Sequence, residues 1–227
     1  MIFILTGSGI SRESGILTFR DEGGWWNKYK FEDVSSIEGF RRDPQKVQEF
    51  YNLRRRELQS EKIQPNLAHL ALAKLQKQRE VYLVTQNVDD LHERAGSSRV
   101  VHMHGELLKT RCQFCYHLMV WKDDLVNEKC PRCQKESALR PHVVLFGETP
   151  LFLGEIYARL VEARFFVAIG TSGTVFPAAD FVNRAKNAYK IDINLYPSAI
   201  SSGFDEVILG PATQVVPSWV ERMLKEI

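Results

Sequence analysis

The sequence predicts an α/β fold in which a doubly wound parallel sheet carries a smaller lobe, and three observations support this prediction. Short apolar runs at residues 2–6, 81–85 and 165–169 alternate with helical patterns, which is typical of parallel strands covered by helices on both faces. The first and third runs each lead directly into a glycine-rich turn. Residues 106–140 differ in pattern: they carry two close cysteine pairs among short strand-like pieces and indicate an inserted module.

The remaining elements are predicted from the periodicity of apolar residues. Apolar side chains recur with helical spacing in a helix over residues 44–59, at Val47, Phe50, Tyr51, Leu53 and Leu58. Asn66 can cap a second helix over 67–78. Further strands are expected at 100–103, 190–195 and 206–209, a loop at 15–30, and further helical segments at 10–14, 89–94, 177–188 and 218–227.

Length and composition limit the class of protein. A chain of 227 residues with 44% hydrophobic and 26% charged residues is ordinary for a globular enzyme. The net charge of +2 is too small to predict binding to nucleic acid. No apolar run approaches the roughly 20 residues of a membrane-spanning helix. We therefore expect a cytoplasmic monomer that binds neither nucleic acid nor membranes.

The turn Gly7-Ser8-Gly9 follows a predicted strand and precedes a helical segment. That is the context of a dinucleotide site, because glycines let the backbone approach a pyrophosphate and a helix start offers free N–H groups. The pattern is shorter than a full G-x-G-x-x-G, since Arg12 occupies the place of the third glycine. A tight turn between strand and helix would use the same residues, so this segment alone leaves both interpretations open.

Four cysteines form two C-x-x-C pairs, Cys112 with Cys115 and Cys130 with Cys133, separated by 14 residues. Two such pairs can supply four thiolates to a tetrahedral zinc ion. A site with four cysteine ligands has no open coordination position, so the zinc would be structural. The alternative is two redox-active C-x-x-C pairs.

Residues 7–21 closely resemble the signature of the sirtuin family, which usually reads G-A-G-I-S-x-x-S-G-I-P-x-F-R. Ser8 is a small replacement in it, whereas Leu17 removes a proline that would stiffen the loop. The resemblance recurs in the family's order over nearly the whole chain, at residues 85–89, 102–105, 143–148, 170–172 and both cysteine pairs. It implies an NAD-dependent protein-lysine deacylase of the bacterial CobB type, with NAD as co-substrate and one structural Zn²⁺.

The resemblance also implies how the chain is divided. All 227 residues would form a single sirtuin domain. Residues 1–30, 80–105 and 141–227 would form a Rossmann-like NAD-binding lobe. A helical insertion at 31–79 and a zinc-binding module at 106–140 would form the small lobe, and NAD and the peptide would meet in the cleft between the lobes.

The catalytic base is sought among six histidines, because histidine titrates near neutral pH. Strand alternation would put His102 and His104 on one face, so spacing cannot choose between them. The neighbouring Gly105 and the family match favour His104. The other histidines are interpreted as structural, namely His69, His92, His102, His117 and His142.

The remaining site residues follow from the resemblance. Asn87 would act with His104 in catalysis, and Asn87 and Asp89 would form the nicotinamide pocket, although an isolated Asp89 could equally cap a helix. NAD contacts are implied for Gly7, Ser8, Gly9, Ile10, Ser14, Phe19, Arg20, Trp26, Gln86, Asn87, Val88, Asp89, Gly170, Thr171, Ser172, Asn194, Leu195, Tyr196 and Ala212. The family often has Asn-x-Glu where this chain has Asn194-Leu195-Tyr196.

The substrate side has two candidate features. Tyr51 and Arg54 share a helix face, and a phenol beside a guanidinium can bind a carboxylate; a solvated basic face is the alternative, since two more arginines follow. The pair resembles the Tyr-x-x-Arg motif of sirtuins that remove acidic acyl groups, which implies removal of both acetyl and succinyl or malonyl groups. Val143, Phe146 and Gly147 resemble the segment that pairs with the substrate peptide as an added strand, or they form a plain buried strand.

The reaction implied by the resemblance begins when the acyl-lysine carbonyl oxygen attacks the ribose carbon that bears nicotinamide. His104 then accepts a proton from the ribose hydroxyls, and Phe19 and Arg20 would cover the sugar. The products are free lysine, nicotinamide and O-acyl-ADP-ribose. The main alternative is a mono-ADP-ribosyltransferase on the same fold. A non-catalytic NAD- or acyl-lysine-binding module and a hydride-transferring dehydrogenase are disfavoured: no expected site residue is missing, and a dehydrogenase leaves the four cysteines unexplained.

Overall fold

The computed structural model describes residues 1–16, 29–174 and 177–226. The larger of the two sheets in the described ranges has six strands: β1 (Ile2–Thr6), β2 (Val81–Thr85), β3 (Val100–His102), β7 (Phe165–Ile169), β8 (Tyr189–Asn194) and β9 (Glu206–Leu209). They are all parallel and lie in the order β3-β2-β1-β7-β8-β9. The chain proceeds outward from β1 to β3 and then from β7 to β9, so the order reverses between β1 and β7. The doubly wound prediction is confirmed, and the reversal marks the usual ligand site of such folds.

Helices cover both faces of this sheet. They are α4 (Leu67–Gln78) and α8 (Ala212–Glu226) on one face, and α6 (Leu153–Val161) and α7 (Ala178–Arg184) on the other. Side-chain alternation along β1 explains the division, because Ile2 and Ile4 pack with α4 and α8, whereas Phe3 and Leu5 pack with α6 and α7. The continuous apolar strands are therefore buried on both faces, as the sequence predicts.

A smaller antiparallel sheet of three strands, in the order β5-β4-β6, comes between β3 and α6 in the chain. Its strands are β4 (Gly105–Cys112), β5 (Leu118–Val120) and β6 (Leu139–Val143), and the helices beside it are α1 (Phe31–Val34), α2 (Ile37–Arg42) and α3 (Pro44–Leu58). Leu107 and Val143 pack with Val47 and Phe50 in one apolar core. The helical segment and the cysteine-bearing segment thus share a core.

Several boundaries differ from the sequence-based predictions. A 3-10 helix covers Ser8–Ser14, and the predicted helix 89–94 shortens to α5 (Leu91–Arg94). The closing helix begins at Ala212, six residues before the predicted start, and includes Pro217. It does so because Val216 is fully buried against the sheet and the Glu13 carboxylate accepts the Thr213 N–H at 3.0 Å. The sequence-based prediction lacks helices α1, α2 and α6.

Helix α4 lies inside the segment 31–79, yet it packs against α8 and the large sheet through Ala68, Leu72 and Leu75. Asn66 begins this helix as predicted, in a reciprocal cap with His69. No helix in the described ranges is long and apolar enough to cross a membrane.

Candidate functional site

A cleft of about 820 Å³ opens at the carboxyl ends of β1, β2 and β7, where the strand order reverses. Most of the predicted site residues line it together. On the nucleotide side they are Gly7, Ser8, Gly9, Gln86, Asn87, Val88, Asp89, Gly170, Thr171 and Ser172. On the opposite side they are Tyr51, Arg54, His104, Val143, Phe146 and Gly147.

The other predicted nucleotide contacts within the described residues are not among the residues that line the cleft. They are Ile10, Ser14, Asn194, Leu195, Tyr196 and Ala212. Ile10 is buried in the sheet core and Ser14 accepts a hydrogen bond from Asn66, so both support the turn. Asn194 donates to the Thr171 carbonyl at 3.2 Å, which connects it to the cleft wall. Phe19, Arg20, Trp26 and the departure at Leu17 lie outside the described residues.

The two glycine-rich turns meet directly. The Gly9 N–H donates to the Gly170 carbonyl at 2.8 Å, and a β-carbon on Gly7 would lie 2.8 Å from the same oxygen. Gly170 has φ +63°, and its own β-carbon would approach the Ile10 nitrogen to 2.4 Å. No side chain fits at these three positions. The glycines therefore allow the two backbone turns to pack against each other. Because they carry no side chains, the outer surface of the turns stays open to a ligand.

A saturated hydrogen-bond network holds Asn87 and Asp89 in place. The Asn66 N–H donates to Nδ1 of His69 at 3.3 Å, so the neutral ring carries its proton on Nε2 and donates to Ser11 Oγ at 3.4 Å. Ser11 also accepts from Asn87 Nδ2 at 3.2 Å and donates to Asp89 Oδ2 at 3.0 Å. Asn87 Nδ2 also donates to the Gly7 carbonyl at 3.1 Å. Both N–H groups of its side-chain amide are therefore used within the protein, and its side-chain oxygen is the polar atom left for a ligand.

Asp89 combines both roles considered from the sequence. Its Oδ1 accepts the Leu91 N–H at 3.2 Å, which is a helix cap, and the residue also lines the cleft. Burial raises the pKa of its carboxyl, opposed by the hydrogen bonds from Leu91 and Ser11. Sequence reasoning gave Ser11 no role, although the residue stands within the family signature.

His104 lies at the cleft with one ring nitrogen committed. Its Nδ1 is 2.9 Å from the Gln86 carbonyl, which can only accept, so the neutral ring has its proton on Nδ1 and a lone pair on Nε2. Burial lowers the pKa of the ring, opposed by that hydrogen bond. The ring is therefore a neutral base near pH 7. Gly105, at φ +81°, lets the chain turn away, since a β-carbon there would lie 2.1 Å from the His142 carbonyl.

The expectation that His102 and His104 share one strand face is wrong, because β3 ends at His102 and His104 lies in the turn that follows. His102 instead points into the protein, with Nε2 2.8 Å from Glu93 Oε1 and Nδ1 3.2 Å from the Asn87 carbonyl. It is buried and structural, as predicted. Position in the turn, and not strand alternation, separates the two histidines.

Tyr51 and Arg54 line the cleft with exposed fractions of 6% and 8%. The next residue, Arg55, is 0% exposed, so a solvated basic face is the wrong interpretation of Tyr51, Arg54 and Arg55, and only Arg56 in this run is exposed. Burial raises the pKa of the Tyr51 phenol, and the nearby Arg54 charge opposes this. A buried phenol and guanidinium in one cleft suit a carboxylate ligand.

The segment after β6 is not a strand beyond Val143. Phe146 makes a single parallel bridge with Ser36, and its N–H donates to the Ser35 carbonyl at 2.8 Å. Glu148, which sequence reasoning left without a role, binds the Leu145 N–H at 2.8 Å and two arginines. The segment 143–148 thus lines the cleft as an extended turn fixed at its end by a carboxylate.

The four cysteines form one cluster, with all their sulfur atoms within 4.8 Å of one another. Cys112 Sγ lies 3.6 Å from Cys133 Sγ, and Cys115 Sγ lies 3.7 Å from Cys130 Sγ. Tetrahedral zinc with Zn–S bonds of about 2.3 Å requires S–S separations of about 3.8 Å. Short contacts between the two pairs fit a shared ion and not two separate redox pairs, and all four thiols are free of disulfides.

Comparison with known proteins agrees with this geometry. The profile of the Sir2 family matches residues 7–177. The chain belongs to the Sir2 family. It is 55% identical to an NAD-dependent protein deacylase of Escherichia coli over 99% of this chain and 84% of that protein. A deacylase of the same name from Salmonella typhimurium is 53% identical, with the same coverage.

Solved structures of the Sir2 family have the same fold. A crystal structure of a Sir2 homolog–NAD complex superposes with a TM-score of 0.84 at 35% identity, covering 99% of this chain and 90% of that one. A Sir2 enzyme with a deacetylated p53 peptide and 3'-O-acetyl ADP ribose gives a TM-score of 0.79 at 28% identity, covering 100% and 93%. The family resemblance stated from the sequence is confirmed.

Proposed function

We propose that this protein removes acyl groups from protein lysines in an NAD-dependent reaction that yields nicotinamide, O-acyl-ADP-ribose and free lysine. One observation carries the proposal: the unprotonated Nε2 of a neutral His104 belongs to a cleft with paired glycine turns on one side and Tyr51 with Arg54 on the other. That cleft can accept a dinucleotide and an acyl-lysine side by side. The partners are NAD and acyl-lysine proteins or peptides.

NAD would lie along the carboxyl ends of β1 and β7. Gly7, Gly9 and Gly170 bring two backbone turns together, and a pyrophosphate fits against such a surface. Gln86 connects the two halves of the site, since its Oε1 accepts from Thr171 Oγ1 at 2.7 Å. The other contacts we assign to the cofactor are those predicted from the sequence, with Asn194 acting at the adenosine end.

Asn87 and Asp89 would hold the nicotinamide ribose and carboxamide. Both side chains are fixed by Ser11 before a ligand arrives, which reduces the ordering cost of binding. His104 accepts the proton from a ribose hydroxyl on Nε2, while the Gln86 carbonyl keeps Nδ1 protonated and orients the ring. NAD, the co-substrate, would supply the reactive ribose carbon and nicotinamide as the leaving group.

The acyl group would enter between Tyr51, Arg54 and the segment 143–148. Arg54 can bind a terminal carboxylate and Tyr51 can donate its hydroxyl, so succinyl and malonyl groups join acetyl as substrates. Val143, Phe146 and Gly147 would contact the peptide backbone, which gives loose dependence on peptide sequence. That the enzyme acts as a cytoplasmic monomer stays a prediction.

Four thiolates in a cluster of this size fit a structural Zn²⁺, which would hold the hairpin-like segment between residues 112 and 133 together. For the lobes, we propose that the zinc module and α1–α3 form the small lobe. Helix α4 belongs to the NAD-binding lobe, because its apolar face packs on the large sheet.

The experiment that tests the proposal uses two peptides of one sequence, one with acetyl-lysine and one with succinyl-lysine, incubated with and without NAD. Mass spectrometry should show loss of both acyl masses only with NAD, together with O-acyl-ADP-ribose. The double variant Tyr51→Phe, Arg54→Met should lose desuccinylation and keep much of its deacetylation. Transfer of ADP-ribose to protein, with no acyl loss, would replace the proposal with a mono-ADP-ribosyltransferase.

A further inference from the structure

One face of α3 binds the backbone of the zinc module. Its polar side chains lie at positions 48, 52, 55 and 59, which share one stripe of a helix. They donate to five backbone carbonyls: Gln48 to Leu139 at 2.9 Å, Asn52 to Leu125 at 2.8 Å, Arg55 to Leu107 and Asp123 at 3.2 Å each, and Gln59 to Lys122 at 2.7 Å. Side chains that bind backbone atoms fix the relative position of two segments more tightly than apolar packing, because hydrogen bonds are directional.

The centre of this stripe is fully buried and mutually paired. Asn52 also accepts the Leu125 N–H at 2.8 Å, so its amide pairs with both backbone groups of one residue. Arg55 donates to Asn52 Oδ1 at 2.7 Å and is 0% exposed. Burial lowers the pKa of the Arg55 guanidinium, and the charges of Asp124 and Asp123 oppose this. A buried charge with several acceptors has little freedom to move.

The adjacent stripe of the same helix lines the cleft through Tyr51, Arg54 and Leu58. Arg54 and Arg55 are neighbours in sequence and differ in direction by about 100° around the helix axis. Any rotation or shift of α3 on the zinc module therefore moves the Tyr51 hydroxyl and the Arg54 guanidinium relative to His104. Recognition of a carboxylate by two donors is sensitive to shifts of about 1 Å.

We propose that Asn52 and Arg55 are positioning residues for acyl selectivity. They fix α3 on the zinc module and so hold Tyr51 and Arg54 where a carboxylate on the acyl group can meet both. The inference rests on the proposed deacylase function. An acetyl group has no carboxylate to place, so its turnover is less sensitive to the orientation of α3 than turnover of a succinyl group.

The test compares neighbouring arginines. Arg55→Met removes the buried contacts, whereas the control Arg56→Met removes an ion pair with Asp124 whose Arg56 side chain is 55% exposed and which contributes little to stability. For Arg55→Met we expect kcat/KM for the succinyl peptide to fall at least about tenfold more than that for the acetyl peptide. For Arg56→Met the ratio should stay within about twofold. KM for NAD should not change in either.

Two further measurements separate positioning from loss of structure. Zinc content per chain, measured by mass spectrometry of the metal, should equal that of the wild type in both variants, and the Kd of the succinyl peptide should rise in Arg55→Met alone. If Arg55→Met does not fold, Asn52→Asp, which keeps the acceptor and loses the donor to Leu125, takes its place. An equal fall for both peptides, or no fall for either, overturns the inference, whereas a wild type without NAD-dependent deacylation overturns the proposed function instead.

Discussion

Glu148 fixes the end of the segment 143–148, and its removal should destabilise both that segment and the fold. Its carboxylate accepts four hydrogen bonds: Arg140 Nη1 at 2.8 Å, Arg140 Nη2 at 3.0 Å, Arg111 Nη2 at 3.0 Å and the Leu145 N–H at 2.8 Å. Arg140 also donates to the Val143 carbonyl at 3.1 Å. The group therefore joins both ends of the segment 143–148 that lines the cleft.

Glu148→Ala leaves two arginines close together without their common anion. The Arg140 side chain is 6% exposed and packs 4.8 Å from the Phe40 ring centroid, so water cannot replace the lost partner. Breaking a buried ion pair costs about 3–5 kcal/mol. The Glu148 side chain is 20% exposed, so the expected loss in the free energy of unfolding is near the lower end of this range, about 3 kcal/mol. For a chain of this size that corresponds to a fall in Tm of about 6–12 °C.

Urea unfolding and thermal melts of three variants measure this effect. Arg140→Met combined with Glu148→Ala should lose less stability than Glu148→Ala alone, because the buried Arg140 charge is then gone and only Arg111, whose side chain is 22% exposed, is left without its anion. Glu162→Ala, which removes an exposed pair with Arg159, is the control and should change stability by under about 0.5 kcal/mol. KM for both peptides should rise in Glu148→Ala while KM for NAD is retained. A loss in Glu148→Ala no larger than that of the control would refute the reasoning.

The pH dependence of this effect follows from the sign of the pKa shift. Burial raises the pKa of the Glu148 carboxyl, but the hydrogen bonds from Arg140 and the Leu145 N–H outweigh it and lower the pKa below the usual 4.5. The stabilisation is therefore present above pH 4.5 and is lost as the pH falls through the lowered pKa. The difference in the free energy of unfolding between the wild type and Glu148→Ala should therefore become smaller only in that acidic range.

Three other predictions concern the nucleotide side. Because burial lowers the pKa of His104 below 6.5, the acid limb of kcat/KM for the acetyl peptide should lie below pH 6.5, and a limb above it would contradict the base assignment. Asp192→Asn weakens a buried carboxylate that binds Asn194 and two loop serines, so KM for NAD should rise about tenfold with peptide KM unchanged; equal increases would contradict it. Burial alone would lower the pKa of His102, but the Glu93 hydrogen bond raises it. Glu93→Gln should therefore destabilise more at about pH 5.5 than at about pH 9 in urea unfolding.

The sequence predicts the large sheet well because its signal is local. Continuous apolar runs predicted strands β1, β2 and β7 at their observed bounds, since a strand buried on both faces needs apolar residues at nearly every position. Asp192 is the exception within such a strand: it is fully buried in β8, and two of its partners, Ser198 and Ser201, come from the loop after the strand. The edge strand β9 was also predicted at its observed bounds, although Val207 and Leu209 are exposed. The early start of α8 depended on Glu13, which lies far away in sequence.

The site residues also divide into those with a local sequence signal and those that depend on distant contacts. The glycine turns and the cysteine pairs can be predicted because each is a local motif, which its spacing and the family resemblance identify together. The orientation of Asn87 is not readable, because it depends on Ser11, whose hydroxyl is in turn directed by a proton on His69. A network of this kind requires the fold, since each member determines the donor or acceptor role of the next.

The run Arg54-Arg55-Arg56 shows why a motif cannot be separated from its neighbours. In the sequence the three residues are one basic patch. In the fold they are 8%, 0% and 55% exposed and contact the cleft, the zinc module backbone and Asp124 at the surface. The helix turns by about 100° per residue, so each arginine meets a different part of the chain. A family motif that names only Tyr51 and Arg54 identifies the groups that we propose meet the substrate. It leaves out Arg55, which we propose places those groups and whose backbone partners belong to the zinc module.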